Sequence, residues 1–172
     1  IRLKNDYAQM CNIRGNIIQW EAKNGKPPFV EEYHLTVKVK TIVGNRPDYA
    51  DTISLKLQLT GNYPTSPPSI SVLKGVKPFH PNWHVDGRWC YGEWFVNEGL
   101  GEHVLRMVKT LQYDFDITNA GSAANGAAGE WYLQKRRSGL FPCDKQPLPD
   151  PTTGKGTSAK TGGKKFEIKS IS

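Results

Sequence analysis

The period of the apolar residues changes several times along the chain. Leu3, Tyr7, Met10 and Cys11 recur at helical intervals with polar residues between them, and Gly15 follows as a stop. That spacing predicts a short amphipathic helix over 2–14. Ile17, Ile18 and Trp20 predict a first strand, ended by the turn-rich KNGKPP. Tyr33, Leu35, Val37 and Val39 then alternate with His34, Thr36, Lys38 and Lys40. Ile53, Leu55, Leu57 and Leu59 alternate in the same way with Ser54, Lys56, Gln58 and Thr60. Period two marks a strand with one buried face. A shorter fourth strand carries Ile70 and Val72 after NYPTSPP. The connections suit an antiparallel meander.

Past residue 95 the helical period returns. Val104, Leu105, Val108 and Leu111 mark one helix, and Ala123, Ala124, Ala127, Ala128, Trp131 and Tyr132 mark another that tolerates Gly126 and Gly129 at some cost. Nothing repeats internally and nothing reads as a βαβ unit. An N-terminal helix, four strands, an irregular stretch and C-terminal helices predict an α+β fold with its sheet and helices segregated.

The expected domain covers 1–138. From residue 139 the composition shifts to Pro, Gly, Lys, Ser and Thr, and DPTTGKGTSAKTGGKK holds too little apolar surface to offset its ordering entropy. Residues 139–172 are therefore expected to form a flexible tail. Its last segment, KKFEIKSIS at 164–172, regains Phe166, Ile168 and Ile171. That segment reads either as an incidental end or as a docking peptide that adds to a sheet edge.

Composition narrows the class. The chain's 172 residues hold no apolar run long enough to span a membrane and no signal-peptide pattern at the start. Ile1 in place of Met points to a trimmed or renumbered beginning. Cys11, Cys90 and Cys143 are an odd set at irregular spacing, which favours a reducing, cytoplasmic setting over a disulfide framework. The net charge is +7, and six Lys against three acidic residues in 138–172 supply +3 of it. There is no Arg-rich helix, zinc-finger spacing or aromatic sheet motif, so nucleic acid is disfavoured as a partner. A solvated surface, or one suited to an acidic protein, accounts for the charge.

The chemistry concentrates in FHPNWHVDGRWCYGEW at 79–94. Three reactions suit Cys90. His80, His84 and Cys90 could supply three zinc ligands, but a structural site wants four in closely spaced pairs, and no Cys-x-x-Cys exists. A Cys hydrolase needs a His base and a group orienting it; His80 and His84 precede the cysteine and His103 follows, none in a recognisable signature. The third reaction is receipt of an acyl group from a thioester. That exchange is nearly isoenergetic and needs an accessible thiol but no dedicated base. Later attack by an amine builds an oxyanion, which a side-chain amide such as Asn82 could meet. The alternative to all three is a buried thiol serving as a small hydrophobe. Asp86, Gly87, Arg88 and Pro81-Asn82 describe an irregular, partly polar turn that weakens this reading for Cys90, whereas Cys11 on its apolar helix face suits it better.

The stretch YPTSPPSISVLKGVKPFHPNWHVDGRWC resembles the signature of ubiquitin-conjugating enzymes. It has Tyr63-Pro64, Pro67-Pro68, the strand at Ile70 to Val72, His80-Pro81-Asn82, and a Cys ten residues after the His, with Gly87 three before that Cys. The resemblance covers residues 2 to 137 and implies that fold. It implies that Cys90 carries a ubiquitin-like protein as a thioester and passes it to a lysine of a target protein, without a cofactor or metal. It implies that Asn82 stabilises the oxyanion or holds the active-site loop, and that His80 fastens that loop together with Pro81 and Gly87. Ser122 falls at the gate position beside the cysteine, with Asn119 as an alternative; Ser122 also reads as a helix N-cap. Arg2 and Lys4 on the first helix would meet the acidic face of an activating enzyme. The loop GEWFVNEGLGEH lacks the Ser-Pro-Ala-like turn used to engage RING-type ligases, which leaves a ligase unassigned. The chain thus looks like a divergent member, similar to those of compact bacterial conjugation systems with a role in antiviral defence. A relative of this fold that only binds its partners is the competing reading, although such relatives lack the Cys or the His-Pro-Asn.

Overall fold

The computed structural model describes residues 1–156. Its elements in chain order are α1 (Arg2–Ile13), β1 (Ile18–Asn24), β2 (Glu32–Val37), β3 (Thr41–Gly44), β4 (Asp48–Ala50), β5 (Ile53–Gln58), β6 (Ser69–Lys74), α2 (Leu100–Leu111) and α3 (Gly126–Lys135). The four expected strands pair as an antiparallel sheet in the order β1-β2-β5-β6. Register follows the alternation: Trp20 faces Leu35, Leu35 faces Leu55, and Leu57 faces Ile70. Each pair puts apolar side chains on the same face, so a one-residue slip would turn the whole set to water.

That face joins Met10 and Ile13 of α1 and Leu100, Val104, Val108 and Leu111 of α2 in one continuous core. Trp20 bonds the layers together: its indole N–H donates to the Met10 carbonyl at 2.8 Å. A second cluster joins Tyr113, Trp131, Tyr132 and Phe141 with Ile42 of β3. The α+β layout with an N-terminal helix, a four-stranded antiparallel sheet and C-terminal helices is therefore the observed one.

The structure departs from the sequence pattern in four places. The hairpin β3–β4 forms its own two-stranded sheet; its strands are too short to display a period. In α1 the buried residues include Asp6, while Cys11 is exposed, so Cys11 is not the packed thiol its helical spacing indicated. Helix α3 begins at Gly126, leaving Ala123 and Ala124 in the turn before it. Ala123 still packs on the helix, since a Cβ at Gly129 would lie 2.9 Å from its methyl.

The fourth difference concerns residues 139–156, which do not form the flexible tail that their composition indicates. Phe141 and Leu148 are buried, and the polar backbone between them finds partners. Asp144 accepts from the Lys40 N–H at 2.8 Å, and Gln112 donates to the Gln146 carbonyl at 2.9 Å. Asn12 of α1 donates to the Pro151 carbonyl at 2.8 Å. An irregular segment is ordered when two apolar anchors and satisfied polar groups outweigh its entropy. Cys143 is part of this strap, with its thiol 3.2 Å from the Lys40 carbonyl, and burial pushes that thiol up to about 12. The proposed docking peptide at 164–172 lies outside the described residues.

Candidate active site

Between β6 and α2 the chain runs from residue 75 to 99 without helix or named strand, so local bonds must hold it. His80 begins the arrangement. Its Nδ1 accepts the Asn82 N–H at 2.9 Å, which leaves the ring proton on Nε2, 3.2 Å from the Thr118 hydroxyl. Thr118 in turn donates to the Asp114 carbonyl at 2.7 Å. The ring is buried against Tyr113 at 4.2 Å, and burial drives its pKa down to about 3. His80 is thus a neutral fastener with both nitrogens in use, which removes it from the zinc set and from the bases weighed for Cys90.

Pro81 and Asn82 fasten the turn to the loop before α3. The Pro81 carbonyl accepts the Ala124 N–H at 2.8 Å. The Asn82 side chain donates to the Ile117 carbonyl and accepts the Asn119 N–H, each at 2.9 Å. Trp83 is wholly buried, and its indole donates to the Thr110 hydroxyl of α2 at 2.8 Å.

The chain then doubles back at Gly87, which has a φ of +94° and would place a Cβ 3.1 Å from that of Val72. Only glycine accepts that conformation without strain. The Gly87 carbonyl accepts the Val72 N–H at 2.9 Å, and the Trp89 N–H donates to the Ile70 carbonyl at 3.0 Å, which lays the turn along β6. The Cys90 N–H closes the loop on the Asn82 carbonyl at 2.8 Å.

Cys90 emerges half-buried on the wall of an open groove of about 490 Å³, lined also by Pro67, Pro68, Ile70, His84 and Tyr91. Among the described residues no hydrogen bond reaches its sulfur. His84 shares the groove, and among the described residues no hydrogen bond orients its ring. His34 pairs with Glu32 on the sheet at 2.9 Å. His103 is buried on α2 against Trp89, Trp94 and Tyr91. The site therefore offers an accessible thiol without the oriented imidazole that a Cys hydrolase uses.

The remaining expected residues divide. Ser122 is exposed, and its N–H lies 3.2 Å from the Asn119 side-chain oxygen. The cap of α3 is Asn125, whose side chain accepts the Ala128 N–H at 3.1 Å; Ser122 is not that cap. Lys4 is exposed on α1. Arg2 is not a free cation: its guanidinium bonds Asp6 at 2.8 Å, the Tyr63 hydroxyl at 2.8 Å and the carbonyls of Val96 and Glu98. It fastens α1 to the loops around residues 63 and 97, which leaves Lys4 as the exposed cation of the expected pair. Asp6 completes that knot by accepting the Leu100 N–H at 3.0 Å. Asp6, Glu98, Arg106 and Thr118 carry no sequence signal, because their partners lie far away along the chain.

No family model matches this sequence. A curated relative, the ubiquitin-conjugating enzyme E2 1 of Caenorhabditis elegans, is 31% identical over 86 residues, which make up 50% of this chain. The match spans 44% of that relative, so this chain corresponds to less than half of its length. A solved structure described as a novel ubiquitin-conjugating enzyme superposes with a TM-score of 0.55 at 16% identity, over 83% of this chain and 88% of its own. The chain has the ubiquitin-conjugating fold in a divergent form. No helix among the described residues is long and apolar enough to cross a membrane.

Proposed function

We propose that this chain is a ubiquitin-conjugating-like transferase that takes a ubiquitin-like protein from an activating enzyme onto Cys90 and passes it to a lysine of a target. The observation that carries this reading is the placement of Cys90: a thiol on an open groove, in a turn built by His80, Pro81, Asn82 and Gly87, with no base among the described residues oriented on it. A hydrolase would need that base, whereas a thioester exchange does not.

In the first step the Cys90 thiolate attacks the carbonyl carbon of the incoming thioester. A new C–S bond forms, the old one breaks, and the donor leaves as a thiolate. In the second step a lysine amine attacks the same carbon, the Cys90 sulfur departs, and the nitrogen gives up a proton to leave an amide. The groove wall formed by Pro67, Pro68, Ile70 and Trp89 suits an extended C-terminal tail, excluding water from one side of the thioester. Asn82 contributes by holding Ile117 to Asn119 beside the cysteine turn, with one amide proton committed to the Ile117 carbonyl. Ser122, on the same loop, would flank the entering amine, and Lys4 would face the activating enzyme. Free thiols at all three cysteines fit a reducing, cytoplasmic setting.

The test is direct. The protein is incubated with an activating enzyme, ATP and its ubiquitin-like partner, then resolved with and without reductant. A reductant-sensitive adduct that is lost in Cys90→Ala is expected. Its absence with a demonstrably active partner set would refute the reading.

A further inference from the structure

We propose that Arg106 is the positioning residue of the Cys90 site, because one guanidinium grips both chain neighbours of the cysteine and the loop that follows. The inference rests on the transfer reading for its effect on turnover, but not for its geometry.

Arg106 lies on α2, a rigid element. Its Nη1 donates to the Tyr91 carbonyl at 2.9 Å and its Nη2 to the Glu93 carbonyl at 3.1 Å. The same guanidinium forms a two-point pair with Glu98, with Nε to Oε1 at 2.6 Å and Nη2 to Oε2 at 3.0 Å. Its central carbon sits 5.6 Å from the Trp89 ring. Trp89 precedes Cys90 and Tyr91 follows it, so a single side chain fixes the residues on either side of the sulfur. The far end of the loop is held as well, since the Glu98 carbonyl is taken by Arg2.

The other side-chain fastenings of the loop lie farther from the sulfur, with Arg2 on the carbonyls of Val96 and Glu98. Between residues 91 and 99 there is no helix or strand, and Phe95 and Val96 are exposed. Trp94 bonds the Pro64 carbonyl at 2.9 Å, but this holds the middle of the loop and leaves Tyr91 and Glu93 to Arg106. Beneath the guanidinium, His103 is wholly buried, with its Nδ1 3.4 Å from both Arg106 Nη2 and Glu98 Oε1. A planar fork with donors in fixed directions can meet two carbonyls and a carboxylate together; an ammonium concentrates its donors at one point. Lysine should therefore fail to replace Arg106, even though it keeps the charge.

The experiment compares R106Q, R106K and E98Q in the full chain by three measurements. The first is amide exchange of the segment 90–98, with β2 and β5 as references. The second is alkylation of Cys90 by N-ethylmaleimide, read by peptide with exposed Cys11 as the internal control. The third is single-turnover discharge of the thioester to free lysine. In R106Q and R106K, exchange at 91–98 is expected to quicken and the maximal discharge rate to fall, each about tenfold, with the half-saturating lysine concentration unchanged. Cys90 alkylation should change while that of Cys11 stays constant. E98Q, which leaves the Tyr91 bond in place, should show a smaller effect in the same direction, and it decides the matter if both Arg106 variants fail to fold. Unchanged exchange and alkylation would overturn the proposal, as would full rescue by lysine or faster exchange with normal discharge. If the wild-type protein never accepts the modifier, the transfer reading fails, and the exchange and alkylation results still decide what Arg106 does to Cys90.

Discussion

The N–H of Cys90 donates to the carbonyl of Asn82 at 2.8 Å, and the side chain of Asn82 reaches the other way to Ile117 and Asn119. The residue beside the cysteine is therefore a strut between two loops. Asn82→Ala should leave thioester formation near normal and slow discharge to lysine by roughly ten- to a hundredfold, the range for losing a group that matters only in the second step. Asn82→Asp keeps the acceptor for the Asn119 N–H but sets a carboxylate against the Ile117 carbonyl. It should loosen residues 117–119 in amide exchange and slow discharge as well. Equal rates for all three proteins would leave Asn82 as a turn residue alone.

Gly87 is the tightest point of the turn. Gly87→Ala forces a side chain into a left-handed conformation and against Val72, at a cost of about 1–3 kcal/mol. Urea unfolding should register that loss. Because the strain lies between β6 and the cysteine, thioester formation should slow too.

Stability should depend on pH through the buried imidazoles. The folded-state pKa of His80 is held near 3 by burial, and it returns to about 6.5 on unfolding. The unfolded chain thus binds more protons between those values. His80's contribution is fully present above pH 6.5 and is lost as pH falls, at about 1.4 kcal/mol per pH unit. His103 is lowered in the same direction, by burial first, with Glu98 opposing and Arg106 adding to the shift, so wild-type protein should show the slope of both. At Glu98, burial acts to raise the carboxyl, and the bonds from His103 and Arg106 outweigh it; that group adds to the loss only at lower pH. Urea midpoints between pH 5 and 7 should fall less steeply in His80→Gln, and an identical slope would contradict the assignment.

The strap after α3 makes a separate prediction. Phe141 stacks on Tyr113 at 4.7 Å and is nearly inaccessible. Phe141→Ala should cost about 3 kcal/mol, as for other buried aromatic residues. A loss below about 0.5 kcal/mol, the level of an ordinary surface change, would mean that residues 139–156 contribute little to the fold.

Arg2 and Lys4 should separate although they lie on one helix. Arg2→Ala removes the partner of buried Asp6 and should destabilise by about 1–3 kcal/mol. Lys4→Glu should leave stability unchanged and slow charging by the activating enzyme about threefold to tenfold, more at low salt. Melting curves and initial charging rates test both.

Much of this protein is determined by its sequence alone, where the information is local. Alternation at Tyr33 to Val37 and Ile53 to Leu57 sets both the strand and its buried face, because a period of two leaves one choice of face. The spacing of Val104, Leu105, Val108 and Leu111 sets the buried side of α2 in the same way. The run from Tyr63 to Cys90 is legible because its turn residues are adjacent in the chain and have narrow conformational preferences. Tertiary structure decides what depends on partners far apart in the chain. Arg2 reads as a surface cation until Asp6, Tyr63 and Glu98 surround it, and Arg106 carries no local signal before its fork meets Tyr91 and Glu98. Residues 139–156 read as a flexible tail until Phe141 and Leu148 find cavities and Gln112, Lys40 and Asn12 find their carbonyls and carboxylates. Composition counts how much apolar surface a segment has; only the folded chain shows whether that surface, and each polar group beside it, has a place to go.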